Sequence, residues 1–127
     1  MSYKYLFDSS AWFEYFRGSA QGAPLKSIVE GGGVATSIIA VAELADLYER
    51  ESSPISERLR FIENHAPILP ITLPIALESA KIKKIQRRTH PKFGLADAIH
   101  YATAVQEGAV FVTADKDFSG LQHVLLI

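Results

Sequence analysis

Short apolar segments alternate with longer segments of helical pattern along this chain of 127 residues. The clearest apolar segment, at 109–113, reads Ala-Val-Phe-Val-Thr. Segments of this kind are typical of strands that are buried on both faces of a parallel sheet. Their alternation with helices therefore predicts an α/β fold, in which helices cover both faces of a mainly parallel sheet.

The pattern predicts five strands and a series of helices between them. The strands are 3–7, 33–37, 68–71, 109–113 and 124–127. The proline within 68–71 favours an edge position for that strand. The first helix follows Asp8-Ser9-Ser10 and is broken by Gly22 and Pro24. The later helical segments are 25–30, 38–50, 56–64 with Ser56 as its N-cap, 74–88 and 95–107, which Gly108 ends.

The composition is that of one ordinary globular domain, and we expect a single domain over residues 1–127. Hydrophobic residues make up 48% of the chain and charged residues 21%. The chain has no cysteine, which excludes disulfides, thiolate metal sites and cysteine nucleophiles. No segment has the pattern of a secretory signal or the length of a membrane-spanning helix. We therefore expect a cytoplasmic protein without membrane contact.

Four acidic residues stand at positions where a metal site is expected. Asp8 and Asp115 each follow a predicted strand, and sites in parallel α/β sheets form beyond the carboxyl ends of the strands. Glu43 and Asp97 lie in apolar helical stretches, where a carboxylate is partly desolvated and needs a compensating partner. A divalent cation such as Mg²⁺ or Mn²⁺ is one such partner, and it can activate a water for hydrolysis.

Each acid taken alone also has a simpler explanation. Asp8 and Asp97 suit helix caps, and Asp115 suits a turn after a strand, as does its neighbour Asp117. Glu43 suits an exposed helix position with apolar neighbours. The metal hypothesis depends on the set, which joins two acids at strand ends with two acids on apolar helices.

Four segments of the chain resemble the motifs of PIN-domain ribonucleases. Leu6-Phe7-Asp8-Ser9-Ser10 is similar to the opening strand and first aspartate of that family. The segment from Thr36 to Leu44 resembles the second motif, and the segment from Leu95 to Ala104 resembles the third. The fourth is similar to Val112-Thr113-Ala114-Asp115-Lys116-Asp117-Phe118. The match spans nearly the whole chain in the family's order, and its size is most like the VapC-type toxins of toxin–antitoxin pairs.

The resemblance implies more than the spacing alone. It implies a three-layer α/β/α sandwich and an endoribonuclease that depends on Mg²⁺ or Mn²⁺. It implies that Asp8, Glu43 and Asp97 are metal ligands and that Asp115 completes the acidic pocket. Ser9, Thr113 and Asp117 are then supporting groups near the site. The implied partners are an RNA substrate, a cognate antitoxin protein and a second copy of the chain in a homodimer.

A basic segment (residues 81–92) is the main feature outside the acidic set. It holds six of the thirteen Lys and Arg residues, and no acid occurs between Ser79 and Ala96. The candidate contacts to an RNA backbone are Lys81, Lys84, Arg87, Arg88 and Lys92. A solvated helix face is the simpler explanation. His100 lies three residues after Asp97, and a structural histidine is the simpler interpretation, with a site role as the alternative.

Two other functions compete with RNA cleavage. A receiver domain also uses strand-end acids with Mg²⁺, but it needs an adjacent acidic pair after the first strand and an aspartate after a middle strand. Here serines follow Asp8, and the segment 33–37 has no aspartate. A PIN-like module that binds RNA or protein without cutting is the second alternative, and the sequence leaves it open.

Overall fold

The structure, a computed structural model, describes residues 3–127. Met1 and Ser2, which belong to the predicted domain 1–127, lie outside the described residues. The strands are β1 (Tyr5–Phe7), β2 (Val34–Ser37), β3 (Ile68–Leu69), β4 (Val110–Thr113) and β5 (Val124–Leu126). The helices are α1 (Ser9–Phe16), α2 (Leu25–Gly31), α3 (Ile38–Arg50), α4 (Ser56–His65), α5 (Leu73–Gln86) and α6 (Leu95–Glu107), with a short 3₁₀ turn at Lys116–Phe118.

The five strands form one sheet in the order β3-β2-β1-β4-β5, and every neighbouring pair is parallel. β1 lies at the centre, where Phe7 pairs with Thr36 on one side and Val112 on the other. The prediction of a mainly parallel sheet is confirmed. The predicted edge position of β3 is confirmed as well, and β5 forms the opposite edge.

Apolar side chains alternate between the two faces of the sheet and are buried on both. Phe7, Val34 and Val112 pack in one cluster with Trp12 of α1 and Leu44 of α3. The residues next to them in β1, β2 and β4 pack in a second cluster with α6; they are Leu6, Ala35 and Phe111. Because successive side chains of a strand point to opposite faces, these two clusters are the two interfaces of a three-layer α/β/α sandwich.

Several predicted boundaries are wrong in detail. β3 ends at Leu69, because Pro70 has no N–H with which to continue the ladder. Ser56 is the first residue of α4 rather than its N-cap, and the N-cap Ile55 offers no side-chain hydrogen bond. α5 begins at Leu73, one residue before the prediction, because the hydroxyl of Thr72 accepts from the N–H of Ile75 and caps it.

The helices of the described part of the chain lack the properties of a membrane span. Within residues 3–127, no helix combines the length and the apolar character that crossing a bilayer requires.

Candidate functional site

The site lies where the three central strands end. Asp8 follows β1 directly and caps α1, and Asp115 lies two residues beyond β4. β2 ends at Ser37, which caps α3 and so orients the helix that carries Glu43. Asp97 lies in the first turn of α6, the helix that precedes β4. The carboxyl ends of adjacent parallel strands meet at one edge, so the fold brings the four acids toward the same side of the sheet.

Asp8 is held firmly in place. It is 5% exposed, and Oδ1 accepts from the Ala11 N–H at 2.9 Å and from the Ser10 hydroxyl at 2.7 Å. Oδ2 accepts from the Thr113 hydroxyl at 2.5 Å. Burial raises the pKa of Asp8 by more than these hydrogen bonds and the nearby charge of His100 lower it. A buried carboxylate in this state gains free energy from a cation beside it.

Glu43 is partly exposed and bound through one oxygen. Oε1 accepts from the Ser9 hydroxyl at 3.0 Å and from Nε2 of His100 at 2.6 Å. Burial raises the pKa of Glu43, but the hydrogen bond and charge of His100 and the hydrogen bond from Ser9 outweigh it. The pKa is therefore below its ordinary value, and Glu43 is ionised at neutral pH.

His100 is a buried support for Glu43, with an exposed fraction of 1%. Its Nδ1 lies 3.1 Å from the Ser37 hydroxyl, which already accepts from the Ala40 N–H. Because the Glu43 carboxylate can only accept, Nε2 of His100 carries a hydrogen and donates it to Oε1 of Glu43. The simpler sequence interpretation, a structural histidine, describes its burial but misses this contact with a candidate ligand.

Asp97 and Asp115 each accept a hydrogen bond from a nearby backbone N–H. Oδ2 of Asp97 accepts from the Gly94 N–H at 2.8 Å, and Oδ1 of Asp115 accepts from the Asp117 N–H at 2.8 Å. Burial raises the pKa of Asp97, and the negative charges of Asp115 and Glu43 raise it further, against the Gly94 hydrogen bond and the charge of His100. The carboxylates of Asp115 and Glu43 are therefore close enough to Asp97 for their charges to act on it.

Three carboxylate oxygens remain without a protein donor. Among the described residues, no hydrogen bond reaches Oε2 of Glu43, Oδ1 of Asp97 or Oδ2 of Asp115. Negatively charged carboxylate oxygens are the ligands that Mg²⁺ and Mn²⁺ prefer. Across residues 3–127, however, no three His, Asp or Glu side chains are already arranged to hold a metal ion. The residues fit a divalent cation in donor type and charge, whereas a closed coordination shell is not preformed.

The supporting residues lie at the site in different ways. Ser9 contacts Glu43, and Thr113 contacts Asp8 and accepts from the Asp115 N–H at 3.0 Å. Asp117 contributes its backbone N–H to Asp115. Ser10 was missed by the sequence prediction, although it donates to Asp8 and accepts from the Ala114 N–H at 2.8 Å. Its position beside Asp8 was the available signal.

The basic segment runs along α5 and past its C-terminal end, and its candidate RNA contacts are exposed. Lys81 lies more than a turn before that end and pairs with Glu78 at 3.9 Å. Arg87, Arg88 and Lys92 follow the end of α5, next to Gln86, whose side chain contacts the loop that carries Asp115. The end of α5 therefore lies against the loop that carries Asp115, and Lys81 lies farther along the helix.

Comparisons with known proteins agree with this architecture. A toxin–antitoxin complex from Klebsiella pneumoniae is similar at 26% identity and a TM-score of 0.74, with 96% of each chain covered. FitAcB from Neisseria gonorrhoeae is similar at 28% identity and a TM-score of 0.60, covering 89% of this chain and 88% of that one. VapC20 from Mycobacterium tuberculosis, a sarcin–ricin loop cleaving toxin, shares the fold at 18% identity and a TM-score of 0.72, covering 95% and 97%.

Sequence comparison assigns the family. No curated protein matches the chain significantly in sequence. The family model of the PIN domain matches residues 5–124, which include every element from β1 to the start of β5 and all four acids. The chain belongs to the PIN domain family.

Proposed function

We propose that this chain is a single PIN domain that acts as a metal-dependent endoribonuclease, the toxin of a type II toxin–antitoxin pair. Asp8, Glu43, Asp97 and Asp115 are the proposed ligands of Mg²⁺ or Mn²⁺. The observation that carries the proposal is the placement of these acids at the carboxyl ends of the central strands, with Oε2 of Glu43, Oδ1 of Asp97 and Oδ2 of Asp115 bonded to no donor among the described residues. Acids that repel one another at a strand-end edge gain free energy when a divalent cation binds between them.

The chain's own groups have separate roles in this proposal. A bound divalent cation supplies a Lewis acid for the phosphodiester and lowers the pKa of a water. Asp8 offers a fixed carboxylate, because three hydrogen bonds hold it. Glu43 offers an ionised carboxylate whose Oε1 is oriented by Ser9 and His100. Asp97 and Asp115 each add one oxygen that no described donor occupies.

The substrate role of the basic segment follows from its position. Arg87, Arg88 and Lys92 are exposed and follow the end of α5, where Gln86 contacts the loop of Asp115. Lysine and arginine at such a position contact phosphates and set the register of a nucleic acid without reading its sequence. We assign RNA backbone contacts to these three residues first, and to Lys84 and Lys81 second.

The relatives supply the partner proposal. One similar structure is a toxin–antitoxin complex, and a 25% identical one is FitAB bound to a DNA fragment. We propose an antitoxin partner for this chain and place it on a groove of about 760 Å³ beside α1 and α4. Tyr15, Phe16 and Phe61 supply aromatic walls, and Lys26 and Arg58 lie among its polar lining. Such a groove suits a helix with one apolar face.

A homodimer is part of the same proposal. α5 exposes large apolar side chains, with Leu73 at 73%, Leu77 at 64% and Ile85 at 60% exposure. Apolar side chains in a row on a helix are commonly covered by a partner. Light scattering of the unmodified protein and of Leu77→Glu tests this point, since only the former is expected to be a dimer.

RNA cleavage with matched controls tests the central proposal. The purified protein is incubated with a panel of labelled RNAs in Mg²⁺, in Mn²⁺ and in chelator, beside an Asp97→Asn protein prepared identically. Cleavage that needs metal and is lost in the variant supports the proposal. Equal cleavage by both proteins indicates a contaminating nuclease, and absence of both cleavage and metal binding in the unmodified protein overturns the proposal in favour of a PIN-like binding module.

A further inference from the structure

Gln86 links the end of α5 to the loop that carries Asp115. Its side chain is buried, and Nε2 donates to the backbone carbonyl of Asp117 at 2.9 Å and to that of Ser119 at 3.1 Å. Two carbonyl acceptors on one side of the amide require its NH₂ group there, which fixes the orientation of the side chain. The amide nitrogen thereby contacts two carbonyls of one loop, residues 114–119, which we call the acidic loop.

His90 closes the same contact from the neighbouring loop. Its Nε2 lies 2.9 Å from the Ser119 hydroxyl. Its Nδ1 lies 2.8 Å from the Thr89 hydroxyl and 3.1 Å from Nε2 of Gln86. The acidic loop is therefore held from outside by two side chains that belong neither to the sheet nor to the candidate ligand set.

The contact of Gln86 with the acidic loop affects the Asp115 carboxylate through the backbone of that loop. Oδ1 of Asp115 accepts from the N–H of Asp117, and it is the carbonyl of Asp117 that Gln86 binds. A loop whose carbonyls lose their donor is free to turn, and the Asp117 N–H then no longer presents itself to Asp115. Ser79, the other buried polar residue of α5, does not bind the acidic loop. Its hydroxyl donates within its own helix, to the carbonyl of Ala76 at 2.7 Å.

We propose that Gln86 is a positioning residue for Asp115, with His90 and Ser119 as its support. The inference rests on the proposed function, because the position of the Asp115 carboxylate matters only if Asp115 binds metal together with the other acids. Gln86 touches neither metal nor RNA in this assignment. It fixes the acidic loop so that Oδ2 of Asp115 remains open while Oδ1 is occupied. Groups of this kind around metal sites typically contribute about 10- to 100-fold in affinity or activity.

The test uses Gln86→Met, which keeps the length of the side chain and removes both donors. We expect the dissociation constant for Mn²⁺, measured by calorimetry on the full chain, to rise about tenfold. We also expect amide hydrogen exchange at Asp117 to speed up in metal-free protein, because this N–H reports its bond to Asp115. Ser79→Ala is the matched control on the same helix and is expected to change neither quantity. Ser119→Ala removes only the His90 contact and supplies a milder second variant if Gln86→Met folds poorly.

A double-mutant cycle separates positioning from general loosening of the fold. In an Asp115→Asn background, Gln86→Met is expected to have no further effect on Mn²⁺ affinity, because it acts through the group already removed. Equal Mn²⁺ binding and equal exchange at Asp117 in the unmodified protein and Gln86→Met overturn the inference alone. Additive losses in the cycle also overturn it. Failure of the unmodified protein to bind Mn²⁺ overturns the proposed function, and the inference falls with it.

Discussion

Nε2 of His100 lies 2.6 Å from Oε1 of Glu43, so a fully buried ring on α6 orients a carboxylate on α3. The two residues are 57 positions apart in the chain. The contact also explains why the pKa of Glu43 is lowered although its side chain is partly buried. It gives a candidate metal ligand a fixed direction before any metal arrives.

Removing that ring is expected to impair the site. In His100→Ala, we expect Mn²⁺ affinity and RNA cleavage to fall about 10- to 100-fold, because Glu43 loses its orienting donor. His100→Gln is expected to lose less, since its amide can donate from a similar place. Calorimetry and cleavage assays measure both effects, and melting temperatures control for lost packing. An Ala variant that is fully folded, active and normal in Mn²⁺ binding would contradict this role.

Asp97→Asn is expected to stabilise the metal-free protein at neutral pH while abolishing activity. The pKa of Asp97 is raised above its ordinary value of 3.8, so the stability tied to its neutral form is present at low pH and lost as pH rises through the folded-state pKa. Asparagine removes the buried charge, and its amide oxygen can keep the Gly94 hydrogen bond. We therefore expect a higher Tm than that of the unmodified protein at pH 7, with the difference shrinking toward pH 4.

The same variant carries a metal prediction. Mn²⁺ is expected to raise the Tm of the unmodified protein, because binding to the native state alone adds stability by mass action. It is expected to raise that of Asp97→Asn little, and cleavage is expected to fall by at least about 100-fold, beyond the usual effect of a supporting residue. Calorimetric scans with and without Mn²⁺ measure the shift. Equal shifts in both proteins would exclude Asp97 as a ligand.

The basic residues beyond α5 are expected to set the salt dependence of RNA binding. In Arg88→Gln, we expect weaker binding to every RNA tested and a slope of log affinity against log salt that is shallower by about 1, as for one lost phosphate contact. Lys81→Gln is the comparison variant and is expected to change the slope less, because Lys81 lies farther along α5 and pairs with Glu78. Fluorescence anisotropy in the chelator, which prevents cleavage, measures both slopes. An Arg88→Gln slope equal to that of the unmodified protein would place the RNA elsewhere.

Gly22 is expected to be the most sensitive glycine of the fold. A Cβ at this position would lie 2.4 Å from the carbonyl oxygen of Glu14, which belongs to the backbone of α1 and cannot move aside alone. Gly22→Ala should therefore lower the free energy of unfolding by about 1–3 kcal/mol or more. Gly31→Ala is the control, because a Cβ at that end of α2 meets nothing within 4 Å. The control should stabilise by up to about 1 kcal/mol, as alanine does relative to glycine in helices. Urea unfolding measures both.

Local pattern was sufficient to predict most of the fold. The bounds of α3 and α6 are as predicted, because strong helix formers, the Ser37 cap and the stop at Gly108 act within the segment itself. The parallel sheet followed from the alternation of elements. The structure differs from the prediction where one backbone hydrogen bond decides a boundary, as at Pro70, and where the helix cap is another residue than predicted, as at Ser56, or was not predicted, as at Thr72.

The candidate acids and the supporting residues Ser9, Thr113 and Asp117 could be named from the sequence, whereas the contacts of His100 and Gln86 could not. Asp8, Glu43, Asp97 and Asp115 stand out because a carboxylate is unusual beside apolar helix residues and meaningful at a strand end. His100 and Gln86 act through partners 57 and 31 positions away, and no local spacing reports contacts of that range. In the sequence, Gln86 is one polar residue within a basic segment, and its two bonds to the acidic loop exist only in the folded chain.

The central position of β1 has a consequence for synthesis of the protein. Asp8 is among the first residues made, yet its hydrogen-bond partner Thr113 lies 105 positions later, on the strand beside it. An all-parallel sheet has no local hairpin that could form early, and contacts of long sequence separation form late. A ribosome-bound chain that has not released β4 therefore lacks both the anchor of Asp8 and the carboxylate of Asp115. Under the proposed function, a nascent chain therefore acquires its complete set of acids only after β4 and the loop beyond it have emerged.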